Sequence, residues 1–358
     1  MSTDYDASFA ILMNFIFLHV IFMVAYTYML APPNANGVLR EGVMRLPYAV
    51  YIVVASLVVI AGMGACGGDS SARSSNTQAS PGATNGAPTG TNQPTPGPSA
   101  AGQAPQPQFT EFDPGKFSQS TNIDNEWYPL KPGTRWVYEG YTTERRKKVP
   151  HRLQFTVTDL TKEILGVRTA VAWIEDFTDG ELVEKEIAFY AQDDDGNVWY
   201  FGEHPEEYKA GEFVEAPTWI AGIRNSKPGI KMWTDPRPEI PRYYQGWGPA
   251  VDWSDYAQVD QTGQQTCVPV GCYEDVLVLA ESSLGEGDIF QIKFYARGAG
   301  EVRVGWRGPD STAEELELVE RSELAPDALA ASRADALALE AHAYEISTEV
   351  YGQTAPAH

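Results

Sequence analysis

Residues 217–256 read PTWIAGIRNSKPGIKMWTDPRPEIPRYYQGWGPAVDWSDY, with six prolines and four of the nine tryptophans of the whole chain. Trp219, Trp233, Tyr243, Tyr244, Trp247 and Trp253 offer ring faces that could line a groove for an apolar chain or stack on sugars. Asp235, Glu239, Asp252 and Asp255 could accept hydroxyl protons beside them. The bland alternative is aromatic and proline packing that holds a long loop against a sheet. A lipid or glycan ligand at these six rings is the reading carried forward.

A second acidic stretch, Asp193-Asp194-Asp195-Gly196-Asn197, could hold calcium through Asp193, Asp195 and Asn197, but it lacks the twelve-residue spacing and distal Glu of an EF-hand. A polar hairpin turn explains it without a metal, and neither a metal nor a cofactor is expected. Cys267 and Cys272, four residues apart around Pro269 and Gly271, suit a local disulfide in an oxidising compartment. Their spacing is not that of a redox-active C-x-x-C pair. No G-x-S-x-G, H-E-x-x-H or P-loop occurs. His151, His204 and His342 lie far apart in sequence, and with 48 acidic residues no glycosidase pair can be singled out. Catalytic residues therefore go unassigned.

The elements that must position these groups are mostly strands. Arg135–Tyr141, Leu153–Val157, Arg168–Glu175, Leu182–Gln192 and Val198–Gly202 are rich in β-branched and aromatic residues. Asp179-Gly180 and Asp195-Gly196 between them are hairpin signals. A shift of 105 residues superposes Gly166 on Gly271, Gly180 on Gly285, and Phe189-Tyr190-Ala191 on Phe294-Tyr295-Ala296, as a duplicated meander would. The prolines exclude residues 217–256 from a central strand, which predicts an irregular excursion between the halves, either ordered or poorly ordered. Pro326 to Tyr351 has helical period, with Leu329, Leu337, Tyr344 and Val350 forming one face together with Ala336, Ala343 and Ser347. The expected fold is mainly β: an antiparallel, hairpin-rich curved sheet or half-barrel over residues 109–325, with a C-terminal helix over 326–352 packing on it.

Upstream the chain changes character. Leu46 to Ala65 is apolar and uncharged, follows Arg40 and Arg45, and ends on Gly64-Ala65-Cys66, which resembles the cleavage box of bacterial lipoproteins. That resemblance implies a signal peptide over 44–65 and lipid attachment at Cys66. The 42 residues after it contain no Val, Ile, Leu, Met, Phe, Tyr or Trp, so they cannot repay the entropy of ordering. Residues 66–108 then read as a lipidated Cys and a disordered tether, with a reach of roughly 35 Å. Residues 1–43 are either an extra transmembrane segment from Phe9 to Ala31 or a mis-assigned start, with translation beginning at Met44.

WYPLKPGTRWVYEG, residues 127–140, resembles the domain opening of a group of uncharacterised exported bacterial β-rich lipoproteins. Half-barrel carriers of the LolA and LppX type share the general plan, as analogy of fold alone. The net charge of −22 repels phosphate backbones and argues against nucleic-acid binding. The whole reads as an exported, lipid-anchored monomer of the bacterial cell membrane or outer membrane. It binds or carries an apolar or glycan ligand without chemistry; an exported hydrolase of polysaccharide or envelope material and a structural envelope protein are the alternatives.

Overall fold

The computed structural model describes residues 106–144, 146–309 and 311–358. The segments read as transmembrane or mis-assigned start (1–43) and signal peptide (44–65), Cys66 and the tether as far as residue 105 lie outside the described residues.

Five long strands open the domain: β1 (Thr134–Glu144), β2 (Lys147–Ile164), β3 (Val167–Thr178), β4 (Glu181–Gln192) and β5 (Val198–Lys209). Two short ones, β6 (Glu212–Glu215) and β7 (Trp219–Ile220), pair only with β5. Then follow β8 (Lys227–Met232), β9 (Tyr243–Gly248), β10 (Trp253–Val268), β11 (Gly271–Ser283), β12 (Phe290–Ala296), β13 (Gly300–Arg307) and β14 (Glu315–Glu323). Every pairing between them is antiparallel, β8 pairs with β5, and β14 pairs back with β1. Leaving β6 and β7 aside, each strand lies beside its neighbours in sequence, so the sheet closes into a twelve-stranded up-and-down barrel. The curved sheet expected from sequence thus continues past a half-barrel to full closure, which removes both long edges.

Local chemistry explains the turns. Asp179 and Gly180 both have positive φ (52° and 80°), as the two central residues of a type I′ hairpin require. At the tip of the β10–β11 hairpin, Cys267 and Cys272 face each other with Cα atoms 4.0 Å apart and are bonded. The proline-rich stretch differs from expectation. It supplies β7, β8, β9 and the start of β10, because its prolines fall where a ladder does not need an N–H. Pro217 and Pro249 flank strands, Pro228 is the second residue of β8, and Pro236, Pro238 and Pro241 lie between β8 and β9.

The 105-residue echo has a structural counterpart. It carries β3 onto β11 and β4 onto β12, which stand six places apart around a ring of twelve. Tyr190 and Tyr295, matched by the shift, are both buried, and each meets the ring of Tyr128, at 5.8 and 6.2 Å.

Alternation divides the side chains of β3 and β4 between two cores. Ala170, Ala172, Ile174, Ala188 and Tyr190 face one cluster with Trp136, Leu277 and Leu279, inside the barrel. Val171, Trp173, Ile187 and Phe189 face outward into a second cluster. That outer face is covered by α1 (Pro326–Ile346), which buries Ser332, Ala336, Leu339, Glu340 and Ala343. The C-terminal segment completes the cover. Lys162, fully buried, donates to Glu340 at 2.8 Å and to the carbonyl of Ala355 at 2.5 Å.

Candidate functional site

The barrel interior is not filled. A cavity of about 510 Å³ is lined by aromatic rings and charged groups from eight strands and from the Tyr128-Pro129-Leu130 segment before β1. Tyr190 and Tyr200 stack in it at 4.8 Å with ring planes 10° apart. Trp253 meets the edge of Tyr200 at 6.0 Å and stacks on Trp219 at 4.5 Å. Trp219 lies behind the wall, 1% exposed, over Gly246 and Gly248, where a Cβ would stand 2.6 and 2.7 Å from the indole. Only glycine lets the indole approach that closely.

Six carboxyls line this space, those of Glu184, Glu186, Glu203, Glu207, Asp255 and Glu301, against two lysines, Lys231 and Lys293. The lysines are already engaged. Lys293 donates to Glu281 at 2.9 Å and Lys231 to the same carboxylate at 3.3 Å, and Gln245 adds a hydrogen bond at 2.9 Å. Burial pushes Glu281 up, but the two ammonium groups outweigh it and hold its pKa down to about 2. On β4 no basic group balances Glu184 or Glu186, and on β5 Glu203 has only the charge of Lys231, on the neighbouring β8, to offset the acids around it. The phenol of Tyr200 donates to Glu203 and lies 3.3 Å from Glu186. It has one proton to give, so it cannot fully serve both acids. Burial and the charge of Glu203 push Glu184 up to about 8. Burial likewise raises Glu203 to about 7, against the hydrogen bond from Tyr200, and lifts Glu186 well above the usual carboxylate range.

These shifts fix the sign of a pH effect. An unfolded Glu titrates near 4.3, so from there to about 8 the empty folded barrel holds protons that the unfolded chain has released. Stability is therefore full below pH ~4.5 and falls as pH rises through 7 to 8. His151 has a raised pKa against Asp176 and adds the same sign. Water in the cavity moderates the effect, for which about 1–3 kcal/mol between pH 5 and 8.5 is expected. Urea midpoints at the two pH values check it. Glu184→Gln with Glu203→Gln should flatten the slope, and a slope of opposite sign would refute the assignment.

The six rings singled out from sequence separate into three places. Trp253 lines the cavity and Trp219 backs it. Trp233 and Tyr243 meet edge-on at 5.6 Å in the outer cluster. Tyr244 stacks on Phe109 at 4.1 Å, with Trp247 at 5.8 Å and the ammonium of Lys227 4.4 Å above the Phe109 ring. Of the acids beside them Asp255 reaches the cavity, while Asp235 pairs with Arg237 at the surface. Asp193 accepts from the backbone N–H groups of Asp195 and Asn197 at 3.0 and 2.8 Å, from the Asn197 amide at 3.0 Å and from the Trp199 indole at 2.8 Å. Asp195 turns to Lys116. The Asp193 carboxylate thus organises a turn with donors of its own chain. Among the described residues no three His, Cys, Asp or Glu converge as metal ligands.

Sequence reasoning passed over Glu184, Glu186, Glu203, Lys231 and Lys293. A signal existed for the first two. Glu184 and Glu186 share the parity of Ala188 and Tyr190 along β4, so they had to face the interior with them.

Comparison with protein families and with curated proteins finds no match for this sequence. Among solved structures, the chain is similar to an exported protein with a YmcC-like fold from Bacteroides fragilis, at 13% identity, over 55% of this chain and 99% of that one, with a TM-score of 0.31. A lipoprotein from Parabacteroides distasonis is similar at 14% identity, over 56% of this chain and 100% of that one, with a TM-score of 0.30.

Proposed function

We propose that this is an exported, lipid-anchored binding protein whose barrel lumen takes up a small organic ligand and leaves it chemically unchanged. The observation that carries the reading is the unfilled interior of about 510 Å³, within the range of small-molecule sites, with stacked rings and inward carboxyls around it. About eight strands enclose an interior that side chains just fill, and the extra room inside twelve could be taken up by larger apolar residues. Here inward positions are given instead to Glu184, Glu186, Glu203 and Asp255, which cost stability unless something pairs with them. The anchor at Cys66 and the tether after it would hold the barrel away from the bilayer, the tether ending before Gln108, which bonds to Arg242 and Tyr244 at β9. The same acids weigh against a long lipid chain as the occupant and favour a compact ligand with polar groups.

A hydrolase is the second reading, supported by the closeness of the carboxyls. Glycoside hydrolysis requires two carboxyls across one bond, about 5 to 10 Å apart. Glu184 and Glu186 instead stand two residues apart on one strand, on the same side of the cavity. That arrangement suits holding a ligand better than cutting one.

Native mass spectrometry of the full chain in mild detergent tests the proposal. An added native mass that disappears on denaturation, and returns unaltered when the isolated molecule is added back, is the expected result. A bare protein mass, or a returned ligand that has been cleaved, overturns it.

A further inference from the structure

Acids gathered on a surface make no site by themselves. These enclose a volume together with aromatic faces, and the basic groups nearby are spent. Around Glu184 and Glu186 on β4 stand Glu203 and Glu207 on β5 and Asp176 on β3, all acidic. Asp255 on β10 and Glu301 on β13 share Lys231 and Lys293 with Glu281 on β11, which takes the closest contacts, and Lys231 on β8 also acts on Glu203 of the adjoining β5. An anionic ligand would meet uncompensated carboxylates on one side and no free cation on the other. A neutral ligand would leave the three acids as they are, forced to share protons. A ligand with a positive charge relieves both problems, since it pairs with the acids and its apolar shoulders lie against π-faces.

Resting on the binding reading above, we infer that the lumen takes an organic cation: an ammonium group on a compact apolar or hydroxylated body. Glu184, Glu186 and Glu203 supply its counter-charge, and Tyr190, Tyr200 and Trp253 its walls. A bare metal ion fits less well, since no three ligands converge among the described residues. The overall charge of −22 favours approach of a cation over that of an anion. Binding the cation favours the ionised acids, so it expels protons, and affinity climbs as pH rises through 7 to 8.

Choline and 3,3-dimethylbutan-1-ol have the same shape and differ in charge, and choline keeps its charge at every pH. Calorimetry of the full chain with each, at pH 5 and pH 8.5 and constant ionic strength, separates charge from shape. Choline is expected to bind at least about tenfold more tightly at pH 8.5 than at pH 5, with proton release, and at pH 8.5 at least about tenfold more tightly than the alcohol. Glu184→Gln with Glu203→Gln, which keeps the volume of both side chains, should remove most of that preference. Equal binding of the two probes, affinity independent of pH, or silence with choline up to about 50 mM overturns the inference. The binding reading is judged separately. A neutral molecule carried in the native mass leaves it standing while the cation falls, and a bare native mass with silent calorimetry removes both.

Discussion

Glu281→Gln is expected to cost about 3–5 kcal/mol in urea denaturation at pH 7. Glu281 is 3% exposed and accepts from Lys231, Lys293, Gln245 and the Tyr295 hydroxyl. Neutralising it leaves two ammonium groups in the barrel wall, of which Lys293 has a second carboxylate, that of Glu301, at 3.9 Å. The penalty is chiefly that of stranded charge, so Lys293→Met added to Glu281→Gln should recover part of the loss. The pH dependence runs opposite to that of Glu184. The Glu281 pKa is depressed, so its contribution is present above the unfolded value near 4.3 and is lost as pH falls toward 2. A loss below about 1 kcal/mol at pH 7 would mean that water already reaches the cluster.

The fold was legible where local chemistry and side-chain period agreed. The hairpins at Asp179-Gly180 and Asp195-Gly196, the meander and the terminal helix follow from turn residues and alternation that act over a few positions. Closure of the ring was not legible, because the β1–β14 pairing joins residues nearly two hundred positions apart and no local signal encodes it. The proline-rich stretch misled for a different reason. Composition averages over a window, whereas a ladder asks only which individual N–H groups are needed, and these prolines fall outside that set. The helix face also rotated. Ala336 and Ala343 are buried as their spacing predicts, but Leu337 is exposed and Leu339 with Glu340 takes its place. Small residues let the helix lie close to the sheet, and Glu340 is drawn inward by Lys162, a partner no helical periodicity reveals.

The site was less legible than the fold, since aromatic density marked a segment of chain while the cavity is a property of the closed ring. Trp253 reaches it and Trp219 backs it because β10 and β7 bring them there. Trp233, Tyr243, Tyr244 and Trp247 have similar sequence surroundings but belong to other packing. The acids were hidden among 48 others. Only the interior parity of β4, combined with knowledge that the interior is hollow, distinguishes Glu184 and Glu186 from acids that face solvent.

Trp219→Ala should cost about 3–5 kcal/mol, comparable to Glu281→Gln but by a different mechanism. The indole is almost wholly buried, stacks on Trp253 at 4.5 Å, meets Tyr200 edge-on at 5.3 Å and lies on Gly246 and Gly248. Removing it opens a void that two glycines cannot fill, and takes away the support that holds Trp253 against the lumen. Trp219→Phe retains a ring and should lose less, about 1–3 kcal/mol. Ligand affinity separates packing from positioning. If Trp219 acts by holding Trp253, both variants weaken choline binding at pH 8.5 under conditions where they remain folded, and the alanine variant does so more. Full stability loss with unchanged affinity would confine Trp219 to the core and leave Trp253 oriented by Tyr200 alone. A loss under about 1 kcal/mol for alanine would mean that the two sheet segments collapse onto the vacated space, and the void on which the argument depends would not exist.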